Sequence, residues 1–180
     1  MKSILFLFLS VLFSTNLLAQ APSFYSQPLK DIDGNVIDLN TYTGKKVLVI
    51  VVPVNPVDSI LVQLDSFAVK HGNRISIIGV LAEEFGYQIE NKTAIKAMYA
   101  GKNLVLTEGM QVRKAAGEDQ SALLQWLTDK TKNGHFNMDA WGVGHKYFIG
   151  EEGRLFAVMP AKTKLSESII DRIVNSGLPQ

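Results

Sequence analysis

Residues 46–52, KVLVIVV, constrain this chain more than any other stretch: after the lysine the run is wholly aliphatic and mostly β-branched. Side chains of that kind favour a pleated surface, and the absence of polar alternation marks a central strand covered on both faces. A turn with two prolines follows, VVPVNPVDSI. Beyond it Ile60, Leu61, Leu64, Phe67 and Ala68 recur at helical spacing until His71-Gly72-Asn73 supplies stop signals. Arg74 to Leu81, RISIIGVL, reads as a second buried strand. Strand, helix and strand within about 35 residues form a βαβ unit, with parallel strands and a right-handed crossover.

The remaining pattern builds around that unit. In PLKDIDGNVIDLNTYTGK, Asp33-Gly34 sits between short alternating runs and predicts an N-terminal β-hairpin. A loop from Ala82 to Ile89 leads to a helix near Asn91–Ala100 and a short strand, Leu104–Thr107. Residues 118–130, EDQSALLQWLTDK, predict a helix with acids at its start and Leu123, Leu124 and Leu127 on one face. Lys146–Ile149 and Leu155–Met159 flank the turn Gly150-Glu151-Glu152-Gly153 and pair as a hairpin. A last helix, capped by Ser166, carries Ile169, Ile170, Ile173 and Val174 and ends before Gly177. The order implies an α/β domain, a mixed central sheet with helices on both faces. No repeat or linker interrupts residues 20–180, which read as one domain.

Residues 1–19, MKSILFLFLSVLFSTNLLA, have a cationic start, an apolar stretch and a small-residue exit. They read as a cleavable signal peptide, cut after Ala19, so a secreted or periplasmic location is expected without stable membrane insertion after cleavage. Loss of Lys2 would take the formal charge from +1 to 0. A neutral chain has no field to draw nucleic acid or anionic lipid, and basic pairs such as Lys45-Lys46 read as solvated surface. The chain contains no cysteine. Disulfide staples, thiolate metal sites and CxxC exchange chemistry are therefore excluded, and the core alone must hold the domain.

Three segments resemble the glutathione peroxidase family in order and spacing: PLKDIDGNVIDLNTYTGKKVLVIVV, GEDQSALLQWLTDK and HKYFIGEEGRLFAVMP. The resemblance runs from about residue 24 to 178 and implies a thioredoxin-like fold. It also implies a catalytic tetrad in which a cysteine or selenocysteine attacks peroxide while Gln, Trp and Asn activate it. By that resemblance the nucleophile position falls on Val57, the Gln on Glu84 and the Trp-Asn pair on Trp141-Gly142. Only Trp141 keeps the family residue type. Peroxide reduction needs a nucleophile that can be oxidised and rescued by thiol, which a valine side chain cannot do. An ionised Glu84 donates no hydrogen bond to a thiolate and raises the cost of an anion beside it.

With that chemistry gone, the turn has ordinary capping chemistry: Asn55 as helix cap, Pro56 in the first helical position and Asp58 in the first turn. Ser59 reads as a helix-surface serine. The expected protein is a catalytically inactive, glutathione-peroxidase-like chain with a binding or structural role. The competing reading is an enzyme, either a peroxide-reducing member of the family serving oxidative stress or one running a new reaction with Glu83, Glu84 and Trp141. A face near Phe85, Tyr87 and Trp141 is the candidate surface for an envelope or secreted protein partner. His71, His135 and His145 lack zinc-binding spacing, although His135 and His145, near Asp139, could meet Glu83 or Glu84. Gly142-Val143-Gly144 precedes no helix, so no dinucleotide fingerprint is present. No cofactor and no metal are expected.

Overall fold

Val47, Val49 and Val51 face one hydrophobic cluster while Leu48, Ile50 and Val52 face another, so the KVLVIVV run is buried on both sides as its composition demands. The structure, a computed structural model, describes residues 22–177; the expected signal segment lies outside them. Strand β1 (Lys46–Val52) is central in a five-stranded sheet with β2 (Ile75–Ala82), β3 (Val105–Met110), β4 (Lys146–Ile149) and β5 (Leu155–Met159), ordered β3-β2-β1-β4-β5. The first three are mutually parallel, whereas β4 runs antiparallel to β1 and to β5.

Helices cover both faces. On one side α1 (Asp58–His71), α2 (Lys92–Met98) and α5 (Ser168–Asn175) contribute Leu64, Phe67, Ile95, Ile170 and Ile173 to the core. On the other, α3 (Ala122–Thr128) presents Leu123, Leu124, Trp126 and Leu127, and a four-residue helix, α4 (Lys130–Asn133), follows it. The mixed sheet expected from sequence is present.

Local starts and stops differ from the sequence reading. The predicted opening hairpin is a turn closed by a single bridge, Lys30 opposite Val36. The Asp31 carboxylate accepts from the Asp33 and Asn35 backbone N–H groups, and Asp31 bridges to Thr107 on the outer edge of β3. The segment therefore serves to cover part of a sheet edge. Helix α1 begins with Val57 as its extended cap, two residues beyond Asn55, because docking the apolar stripe outweighs a cap worth about 1 kcal/mol; the Asp58 side chain lies outside what is described. Residues 118–119 belong to a 3-10 stretch interrupted by Gly117 at φ +61°, and Ser121 caps the shorter α3. Glu167, not Ser166, precedes α5. Lys45 is exposed as read, but Lys46 is buried, its ammonium capping the end of α5.

Gly109 on β3 shows how closely the surface layers approach the sheet. A Cβ there would lie 2.1 Å from two ring carbons of Tyr87. Gly109→Ala is expected to cost about 2 kcal/mol in urea unfolding, since the buried ring must move. Gly142→Ala, with nothing within 4 Å of the added carbon, should cost less than about 0.5 kcal/mol. Equal midpoints for the two variants would contradict that packing.

Candidate functional site

In an open α/β sheet the loops beyond the carboxyl ends of the parallel strands are where ligands gather. Three loops lie near the end of β1: residues 53–57 leading to α1, residues 83–91 after β2, and residues 139–145 before β4. Hydrogen bonds fix the first and third of them. The Tyr99 hydroxyl donates to the Pro53 carbonyl at 2.7 Å, and the Gly144 and Val51 N–H groups donate to Val51 and His145 carbonyls at 2.7 and 3.0 Å.

Val57 stands at the start of α1 with 60% of its surface exposed. Its carbonyl accepts from the Ile60 and Leu61 N–H groups, so the backbone does helix-starting work while the side chain offers solvent two methyl groups. Ser59 is exposed on the helix surface, as expected.

Glu84 and Trp141 converge on Arg113. The exposed Glu84 carboxylate accepts from the backbone N–H of Val112 at 2.8 Å and of Arg113 at 2.8 Å. The Arg113 guanidinium lies 5.2 Å from the Trp141 ring centre, a cation–π contact. Its Nε is buried without a hydrogen-bond partner among the described residues, 4.0 Å from an Asp139 oxygen. The other Asp139 oxygen accepts from Lys114 and Ala140 N–H groups at 2.9 and 2.8 Å. Both acids thus fasten loops: Glu84 joins the end of β2 to the segment after β3, and Asp139 joins that segment to the loop before β4. Glu83 is likewise engaged, accepting from the Gln111 amide at 2.8 Å. Gly142 contributes only a carbonyl, which accepts from the His145 N–H.

The face expected from Phe85, Tyr87 and Trp141 does not form. Tyr87 is buried over Gly109 and Phe85 packs against the core, because the glycine leaves a slot for the ring; Trp141 alone projects, 67% exposed. The histidines are also dispersed. His71 contacts Asp171 at 2.9 Å, His135 contacts Arg154, and His145 is buried beside Tyr147 with ring centres 4.9 Å apart. Among the described residues no three His, Asp or Glu side chains converge as a metal site. His145 Nε2 and the Tyr147 hydroxyl are buried without partners among the described residues. Burial, with Lys146 adding, pulls the His145 imidazole down to about 4 against the opposing pull of Asp139; burial likewise pushes the Tyr147 phenol up.

No protein-family model and no curated protein sequence matches the chain. Among solved structures, Trgpx in its apo form matches with a TM-score of 0.64 at 22% identity, covering 88% of this chain and 100% of that one. T. cruzi GPX1 matches with 0.62 at 13% identity, over 85% and 97%. MTB dsbF, in mixed oxidized and reduced forms, matches with 0.52 at 13% identity, over 86% and 96%. The fold is thioredoxin-like. Within it the arrangement is the glutathione-peroxidase-like one that the sequence segments suggested. Arg113 and Asp139, which organise this end of the thioredoxin-like domain, lie far apart in the sequence, and the only signal there is Asp139 two residues before Trp141.

Proposed function

We propose that this is a secreted or periplasmic protein of thioredoxin-like fold that reduces no peroxide, exchanges no disulfide, and acts by binding. The observation that carries the reading is the absence of any cysteine, with an exposed valine where the resemblance puts the nucleophile. Peroxide reduction passes through an oxidised sulfur or selenium that a thiol then rescues, and no side chain at the start of α1 can take that role. The Glu84 carboxylate supports the same reading, because backbone N–H groups already occupy it where a catalytic site would need a donor aimed at a thiolate. The apolar amino-terminal segment supports export.

The test is peroxide consumption by the protein purified after expression of the full chain, with excess glutathione and separately with a thioredoxin system. The rate should equal the protein-free background. Peroxide loss proportional to protein concentration, surviving metal removal, would overturn the reading.

A further inference from the structure

Beneath the first turns of α1 lies a cavity of about 280 Å³. Val52 and Pro53 at the end of β1, Ile60 and Leu64 on α1, Val143 and Leu165 form much of its wall, and Lys146 lines its inner side. Lys162 and Lys164 stand exposed at its rim.

Among the described residues two buried lysines, Lys46 and Lys146, lie on the sheet, and they differ in one respect. An ammonium carries three donors. Lys46 spends its three on the carbonyls of Ile173, Val174 and Ser176. Lys146, 3% exposed, has one acceptor among the described residues, the Gly144 carbonyl at 2.5 Å, and no ion pair. Glu167 is the acid that favours its charge, and that carboxylate is itself held by the Lys164 N–H at 2.7 Å. Burial lowers the Lys146 ammonium only to about 8, so it remains mostly charged at neutral pH. A buried charge with two unspent donors, beside an apolar cavity, is an incomplete arrangement.

We propose that this cavity binds a small monocarboxylate with a short apolar tail, the carboxylate accepting from the Lys146 ammonium and the tail lying against the aliphatic walls. At about 280 Å³ the cavity falls just below the roughly 300 Å³ at which sites for drug-sized ligands begin, a size for a ligand of only a few carbons. A carboxylate supplies the missing acceptors as charge-assisted hydrogen bonds, and the rim lysines draw anions toward the mouth. Phosphate would meet the charge without using the walls, and an alcohol would use the walls without meeting the charge. The inference gives the proposed binding role a ligand class and rests on that reading in one respect, that the ligand is held and not converted.

The experiment is a titration of nitrogen-15-labelled protein, expressed as the full chain, with hexanoate, hexanol, acetate and inorganic phosphate. Hexanoate should produce saturable shifts at residues 60–64, 143–146 and 161–165, with the other three probes at least about tenfold weaker. Lys146→Met should weaken hexanoate at least about tenfold, whereas Lys162→Ala with Lys164→Ala should weaken it less than about threefold. Should Lys146→Met fail to fold, Ile60→Trp fills the cavity from α1 while leaving the ammonium in place, and it too should abolish the response. Shifts confined to exposed lysines, or hexanoate binding unchanged by these cavity variants, would overturn the proposal. Failure of hexanoate to bind a protein that also leaves peroxide untouched removes the ligand and leaves the proposed function standing. Site-specific hexanoate binding by a protein that consumes peroxide supports the cavity and removes that function.

Discussion

Lys46→Met is expected to destabilise the protein by about 3 kcal/mol. The Lys46 ammonium donates to Ile173 and Val174 carbonyls at 3.2 and 2.8 Å and to the Ser176 carbonyl, and it lies 5.4 Å from the Phe156 ring centre. Those carbonyls belong to the last turn of α5 and just beyond, where helix geometry leaves acceptors without intrahelical partners and the dipole favours a cation. Burial works against the charge, holding the Lys46 pKa below the usual lysine value, and Glu151 opposes that only in part. Methionine removes the desolvation cost but leaves up to three carbonyls to find water, at about 1–3 kcal/mol for each that fails. The orphaned acceptors outweigh the relief. Urea unfolding of Lys46→Met beside Lys45→Met, whose side chain is exposed, measures the difference. If Lys46→Met matches or exceeds the unmodified protein, the buried ammonium is a net liability and the capping account fails.

The second large effect is a loss of stability in mild acid, also about 3 kcal/mol, traceable to His145. Its folded pKa, about 4, lies below the ordinary imidazole value of 6.5. Above pH 6.5 both folded and unfolded chains hold the imidazole neutral and its contribution to stability is complete. Between 6.5 and 4 the unfolded chain takes up a proton that the folded chain refuses, so stability falls as pH falls, and below 4 the loss is complete. Burial is the main cause, and the neighbouring Lys146 adds to it while Asp139 opposes it. Asp31, Asp33, Asp129 and Asp171 are held below the ordinary carboxylate value, so their contribution is lost at lower pH and leaves the 6.5–4.5 interval mainly to histidine. Denaturant melts at several pH values, for the protein and for His145→Leu, isolate the effect. The stability of the protein relative to His145→Leu should fall by about 3 kcal/mol from pH 7 to 4. Parallel curves would show that His145 takes up its proton equally in both states.

The sheet was legible because its signals are periodic. KVLVIVV after its lysine and the IIGVL part of RISIIGVL have no polar alternation, and they lie in two adjacent strands buried on both faces. The hairpin of β4 and β5 was legible from its glycine-bounded turn. Helix starts were less so: Asn55 and Ser166 have good capping chemistry, yet Val57 and Glu167 hold the cap positions. A cap contributes about 1 kcal/mol, less than the packing that sets where a helix lies on a sheet. Tyr87 was expected on the surface, and only the missing side chain at Gly109, across the sheet edge, explains its burial.

At the candidate site the loss of sulfur chemistry could be read directly, because an absent residue type is absent in every fold. What occupies the site could not. Glu84 meets Val112 and Arg113, 28 and 29 residues away, and Lys46 meets Ile173 at a separation of 127. By itself the sequence determined the order of strands and helices and the exclusion of thiol catalysis, since periodicity and composition belong to the chain. Only the tertiary structure decided which buried lysine meets three acceptors, which meets one, and which acids fasten loops, since each depends on groups that come together only when distant segments pack.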